Sequence, residues 1–131
     1  MLRLWLRNWI TNSTVVSPAG PVVSMTSYGN RIRTVYLTIE SIGQGDVLPS
    51  RLILWLDDRS QFDHLLPSLI RLKHRGLEVK FCPNYGPHKK YYPYVESHGS
   101  FNVPLVTADD DVLYPKDWLK CLLDEIGRAH V

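Results

Sequence analysis

This sequence lacks most of the features that place a chain in a special class at sight. It has only two cysteines, Cys82 and Cys121. Their separation fits no metal-binding motif, and their number suits a reducing compartment. Both read as packing residues, because free cysteine is among the most frequently buried side chains. Neither sign of charge dominates: fifteen basic and thirteen acidic residues leave a formal +2. That is too mild to argue for nucleic acid, and no Lys/Arg-rich run extends beyond the pair Lys89-Lys90. Long hydrophobic runs are missing too. The opening "MLRLWLRNWI" is apolar for only about ten residues and is interrupted by arginine, too short to span a bilayer. It also lacks the unbroken apolar core and small-residue cleavage site of a secretory signal. There is no internal repeat and no low-complexity tract.

What is present has the composition of a soluble globular protein, 44% apolar and 21% charged. A length of 131 residues allows one domain at most, with a core but short for a complete α/β enzyme. On helical spacing Leu2, Trp5, Leu6 and Trp9 share one face of the opening segment, with Arg3 and Arg7 away from it. The plain expectation is a helix packed on its own or a neighbouring domain. A peripheral membrane contact is the other reading, since basic amphipathic segments with tryptophan suit membrane interfaces. "TNSTVVSPAGP" then reads as a linker. Residues 1–20 therefore form an amphipathic segment plus linker, ahead of a domain over 21–125.

Within that domain "PVVSM" predicts a first strand, ending in the polar turn "TSYGN". Ile32, Val35, Tyr36, Ile39 and Ile42 follow helical spacing, closed by "GQG". "RLILWL" is a second strand ending on Asp57-Asp58. Phe62, Leu65, Leu66, Leu69, Ile70 and Leu72 predict a second helix that stops at Gly76. "LEVKFC" is a third, half-buried strand, followed by the looser "GPHKKYYPYVESHG". "VPLVTA" is a fourth strand, and "PKDWLKCLLDEI" a helix with Pro115 in its first turn. This βαβ alternation predicts a mostly parallel sheet with helices on both faces.

Ligands of such sheets bind beyond the carboxyl ends of the strands. Thr26-Ser27-Tyr28, Asp57-Asp58, Asn84 and Asp109-Asp110-Asp111 all fall at those ends. Three adjacent carboxylates repel, and a hard divalent cation would relieve the repulsion. Mg²⁺ and Mn²⁺ take oxygen ligands, often one or two carboxylates plus substrate phosphates. The competing reading of the triplet is a solvated acidic turn, or a capping cluster for the Pro115 helix.

The motifs "VVSMTSYGNRI", "SIGQGDVLPSRLILWLDD", "GLEVKFCPNYGPHKKYYPYVE" and "PLVTADDDVLYPKDWL" resemble the amino-terminal half of a bacterial glycosyltransferase of the GT-A type, near glycosyltransferase family 2. The Asp-x-Asp motif falls on Asp109-Asp110-Asp111, and the resemblance spans about residues 20–124. It implies a Rossmann-like α/β half-domain that binds a nucleotide-diphosphate sugar, UDP-sugar favoured, with Mn²⁺ or Mg²⁺, for transfer to a glycan or other acceptor. It also implies polysaccharide biosynthesis in the cytoplasm or on the inner face of the membrane. Carried over by position, Thr26 and Tyr28 line the nucleotide pocket, and Asp57, or else Asp58, faces the base. Lys89 and Lys90 stand near the nucleotide or diphosphate, their alternative being a solvated pair. Asp109 lies near the ribose; Asp109 and Asp111 are the metal residues. Asp110 supports the donor sugar or turns outward. Tyr91, Tyr92 and Tyr94 read as packing residues, and the five histidines show no ligand spacing.

Two other function classes compete. A nucleotidyltransferase would want a Gly-rich basic loop after the first strand, which "TSYGNRIR" matches poorly. A non-catalytic nucleotide-binding module is the other. The family's sheet continues past Asp-x-Asp to the acceptor site and the base of inverting enzymes, so the expectation for this chain is donor binding without transfer. The ending "IGRAHV", residues 126–131, breaks the helical pattern at Gly127. It matches a common sequencing adapter translated in one frame, ATC GGA AGA GCA CAC GTC, followed by the stop TGA. The expectation is a truncated gene with a non-native tail. An independently assembled copy of the gene should read past Glu125 into a different sequence. The same six codons and stop in a genomic context would refute this.

Overall fold

The computed structural model describes residues 1–82 and 104–129, the last four by backbone alone. Four short strands carry the predicted apolar runs: β1 (Val22–Thr26), β2 (Arg51–Leu56), β3 (Leu77–Phe81) and β4 (Leu105–Ala108). They form one all-parallel sheet in the order β3-β2-β1-β4. β1 and β2 occupy the middle, and from Leu52 to Leu56 β2 is buried at every position. That is why their sequences are continuous apolar runs rather than alternating ones. Leu105 and Val106 lie on an end strand of the described sheet.

Among the described residues five α-helices accompany the strands: α1 (Leu2–Ile10), α2 (Val35–Gly43), α3 (Arg59–Asp63), α4 (Pro67–Lys73) and α5 (Trp118–Ala129). Where they depart from the sequence pattern, local covalent chemistry gives the reason. The helix expected around Ile32–Ile42 opens with a 3₁₀ turn, Gly29–Arg33, entered through Gly29 at φ 57°. Only glycine adopts that left-handed conformation without steric cost. The second predicted helix is two helices, because Pro67 forces Leu66 to an extended ψ of 148° and starts a new one. Pro115 is not in the first turn of α5; its carbonyl accepts from Trp118 N–H at 3.1 Å in the preceding turn. α5 also runs through Gly127 to Ala129, since an interior glycine weakens a helix by about 1 kcal/mol without forbidding it.

The period-2 alternation of the strands sorts the sheet into two faces. Val23, Met25, Leu52, Leu54, Leu56, Leu77, Val106 and Ala108 point to the main core. There they meet Ile39 and Ile42 of α2, Leu69 and Leu72 of α4, and Leu119 of α5. Phe62 of α3 also packs on this core, so all four of these helices serve one face. The opposite face carries a smaller cluster of Val22, Ile53, Trp55 and Cys82 with Leu105. Trp55 Nε1 donates to Ser24 Oγ at 3.0 Å there. The helices expected on both faces are therefore found on one among the described residues. Cys121 departs from expectation too: it is exposed, with Sγ 3.7 Å from Asp117 Oδ2.

The segment read as a linker is packed. Val15 is fully buried in the main core, and its N–H donates to Arg75 O at 2.9 Å. Behind it α1 lies across α2 and α4 as a third layer, held by a buried carboxylate. Glu40 of α2 is 0% exposed. Its Oε2 accepts from Arg75 Nη1 at 2.7 Å and from Asn8 Nδ2 at 3.0 Å, and its Oε1 from Arg75 Nη2 at 3.0 Å. Arg7 Nε stands 3.3 Å from Oε1, near enough for an ion pair at an angle that makes no hydrogen bond. One acid thus ties α1, α2 and the end of α4 together.

Glu40→Ala leaves Arg75 buried without its partner and should destabilise the domain by about 3–5 kcal/mol in urea unfolding. Pairing Glu40→Leu with Arg75→Met should cost clearly less than the two single changes summed, because no charge is then stranded. Additive losses would show that the pair is uncoupled.

Candidate functional site

Register places the strand ends side by side. Thr26 pairs with Trp55, and Met25 with Ala108. The residues just beyond, Ser27-Tyr28, Asp57-Asp58 and Asp109 to Asp111, therefore emerge on one edge of adjacent strands. Alternation then separates them. Carried one step past the strands, it puts Asp57 and Asp109 with Thr26 on the face of Ser24, Trp55 and Thr107. Ser27, one step past β1, and Asp110, two steps past β4, fall on the helix-covered face of Met25 and Ala108.

That parity decides the fate of the acidic triplet. Asp110 is only 6% exposed. Ser27 Oγ donates to its Oδ2 at 2.9 Å, and Arg31 Nη1 to its Oδ1 at 3.1 Å. Its backbone carbonyl accepts from Thr38 Oγ1 of α2 at 3.1 Å. Of the two expectations for Asp110 the outward turn is corrected: it turns inward and joins the β1 loop to the β4 loop. In return Asp110, with Tyr28 next in weight, raises the Arg31 pKa above its usual value, so this guanidinium stays charged. Arg31 also lies over the Tyr28 ring, 5.2 Å from its centroid, and Tyr28 itself is half exposed.

The other loops are fixed comparably. Asp58 is the N-cap of α3, its Oδ1 accepting from Gln61 N–H at 3.0 Å. Gln61 Nε2 donates to Gly29 O at 3.2 Å, joining the β2 loop to the β1 loop. The loop after β1 is thus clamped from both sides. Asp57 and Thr26 are half-buried, and Asp109 and Asp111 are exposed. Asp109 N–H donates to the Tyr114 hydroxyl at 2.9 Å; Tyr114 stacks on Trp118 with centroids 3.9 Å apart. Tyr114 N–H in turn reaches Ser41 Oγ of α2 at 3.0 Å. Asp111 lines a cavity of about 310 Å³ with Met1, Thr34, Leu37, Thr38, Asp110 and Leu113. Capping of α5 does not explain the triplet, since that helix starts at Trp118.

Among the sequence-predicted residues, Thr26, Tyr28, Asp57, Asp109, Asp110 and Asp111 come to this edge. Asn84, Lys89 and Lys90, with Tyr91, Tyr92 and Tyr94, lie outside the described residues. Sequence reasoning missed Ser27, Arg31, Gln61 and Tyr114 as site-forming groups. The pairing of Ser27 with Asp110 had a signal: each stands two positions past a register pair, which only the register itself reveals. Among the described residues no three Asp, Glu, His or Cys side chains converge on one point. Asp109 and Asp111 still suit a hard cation, which often takes one or two carboxylates and completes its shell with water and phosphate oxygens. Compared with protein-family models, curated proteins and solved structures, the chain matches none.

Asp110→Ala should lower unfolding stability by about 2 kcal/mol or more, since hydrogen bonds to charged groups contribute roughly 1.5–3 kcal/mol each. Asp111→Ala should leave the unfolding midpoint nearly unchanged. A loss at Asp111 equal to that at Asp110 would contradict the parity assignment.

Proposed function

We propose that this sheet is the donor-binding part of a metal-dependent glycosyltransferase of the GT-A type, which takes a nucleotide-diphosphate sugar, UDP-sugar favoured, for transfer to a glycan or other acceptor. The observation that supports it most is the grouping of Thr26, Asp57 and Asp109 on one face at the carboxyl ends of three adjacent strands, with Asp111 one turn away. Carboxylates gathered at one edge suit a hard cation and a bound diphosphate.

In this reading Asp57 accepts from the uracil N3–H and Asp109 from a ribose hydroxyl, while Thr26 and Tyr28 wall the nucleotide. Asp58 is left to the N-cap, so Asp57 alone reads the base. Asp109 and Asp111 would hold Mn²⁺ or Mg²⁺, and the ion would supply charge neutralisation to the diphosphate leaving group. Asp110, bonded to Ser27 and Arg31, acts in this reading through its neighbours. It neutralises Arg31, fixes the turn between its two neighbours and so positions them. Lys89 and Lys90 keep their proposed place near the diphosphate. Such an enzyme would serve polysaccharide assembly on the cytoplasmic side of a membrane.

Calorimetric titration with UDP, with and without Mn²⁺, tests the reading. Binding should require the cation and should fall sharply in Asp111→Asn, which removes an anionic ligand and keeps the shape. Asp57→Ala should lose its preference for UDP over other nucleoside diphosphates, because an unpaired buried group costs roughly 1–3 kcal/mol. Asp58→Ala should retain the preference while weakening α3, since a lost cap costs about 0.5–2 kcal/mol. Equal Mn²⁺-supported UDP affinity in wild type and Asp111→Asn would refute the metal assignment.

A further inference from the structure

The helix α1 is attached by the side that its sequence pattern makes least apolar. It buries Leu4 and Asn8, with Arg7 beside them, against α2 and α4. Asn8 is bonded on three sides: to Glu40, to Ser68 O at 3.1 Å and to Arg71 Nε at 2.9 Å. The opposite side is left in solvent: Leu2 is 70% exposed, Trp5 45%, Leu6 41%, Trp9 56% and Ile10 74%. The expectation that α1 packs on its own domain is met through the wrong face for an ordinary amphipathic helix. A contiguous exposed apolar patch of this kind marks an interaction surface.

The charge around it says what covers it. No acidic residue precedes Glu40, and Glu40 is buried. Exposed Arg3 lies on α1 itself, and Arg71, Lys73 and His74 lie at the end of α4. Arg71 sits 3.9 Å from the centroid of the Trp9 ring and donates from Nε to Asn8. Beneath the pair is a cavity of about 390 Å³ lined by Trp9, Thr11, Asn12, Arg71 and His74, among others. Two tryptophans in edge contact, 6.2 Å between centroids, rimmed by cations are the side-chain set of a helix lying in a membrane interface. No described helix is long and apolar enough to cross a membrane. A helix of nine residues presents less surface than the roughly 800 Å² per partner of a stable protein interface.

We infer that α1 docks this domain flat on an anionic phospholipid surface, with Leu2, Trp5, Leu6, Trp9 and Ile10 at the headgroup–acyl boundary and the cavity beside Arg71 receiving a lipid phosphate. The Glu40 network holds the helix in this orientation in advance, so docking requires no unpacking. The start of α1 lies beside the carboxyl edge, where Met1 lines the cavity of Asp110 and Asp111, but lipid docking uses none of the proposed donor chemistry and stands whether or not that chemistry does.

The test is co-sedimentation of the full chain with vesicles of phosphatidylcholine alone or mixed with phosphatidylglycerol. Binding should require the anionic lipid and weaken with salt. Trp5→Ser with Trp9→Ser should reduce partitioning on the order of tenfold. Arg3→Gln should reduce it about fivefold, the worth of one basic residue near an anionic surface. Arg3 is exposed, and Arg3→Gln should leave melting unchanged. The tryptophan changes remove the Arg71–Trp9 contact, so a small fall in melting temperature with unchanged circular dichroism should accompany their loss of binding. A second readout needs no variant: brominated lipid should quench the wild-type tryptophan emission. Failure to bind anionic vesicles would overturn the inference, as would binding that the tryptophan changes leave intact. A dimer abolished by those same changes, with no vesicle binding, would assign the face to a second copy and also overturn it.

Discussion

Asp110 accepts one hydrogen bond from Ser27 and one from Arg31, and this buried carboxylate is what makes the carboxyl edge of the sheet a defined surface. A buried acid is costly unless it is paired and bonded. Here the pairing joins the loops after β1 and β4, which the chain brings together only through the sheet. With Thr38 on its carbonyl, Asp110 has contacts on both main chain and side chain. Its neighbours Asp109 and Asp111 are left exposed because it is not. Three aspartates that repel one another in an extended chain become one structural acid, compensated by arginine, between two solvent-facing ones.

Glu40 follows the same logic on the far side of α2. It is buried, and its pairing with Arg75 and Asn8 draws α1 and the end of α4 onto one point. A hydrophobic seam would have held α1 by its tryptophans. A polar seam instead turns them outward, and the exposed apolar face follows from that choice of contact. α2 thus carries contacts to both acids: Thr38 reaches Asp110 on the sheet side, and Glu40 sits under α1. Through this helix the two surfaces of the domain keep a fixed relation. Buried polar contacts of this kind contribute less to net stability than to the choice of one arrangement over its alternatives.

The clamping of the β1 loop by Gln61 on one side and Asp110 on the other has a mechanical consequence. A loop tied to both neighbouring strand ends keeps Thr26 and Tyr28 at fixed distance from Asp57 and Asp109. A site built this way is pre-organised by its scaffold rather than assembled on ligand contact, which lowers the ordering cost of binding.

The sequence by itself determined the strands, because short runs such as "RLILWL" and "PVVSM" have no other way to bury every side chain. It determined the parallel α/β class through the alternation of those runs with helical spacing, and it placed the polar clusters at the strand ends. It did not show that the second helix is two, although Pro67 carries the reason in its backbone. It did not show which aspartate is buried. That depends on the register between β1 and β4, and a single-residue slip would exchange Asp110 with Asp109 or Asp111. Nor did it show that "TNSTVVSPAGP" is packed, or which side of α1 faces the domain. Hydrophobic periodicity names the apolar face of a helix, but burial is set by whichever contacts the rest of the chain offers. Here the offer was Glu40, thirty-two residues from Asn8 in sequence and 3.0 Å away in space, and only the tertiary structure could bring the two together.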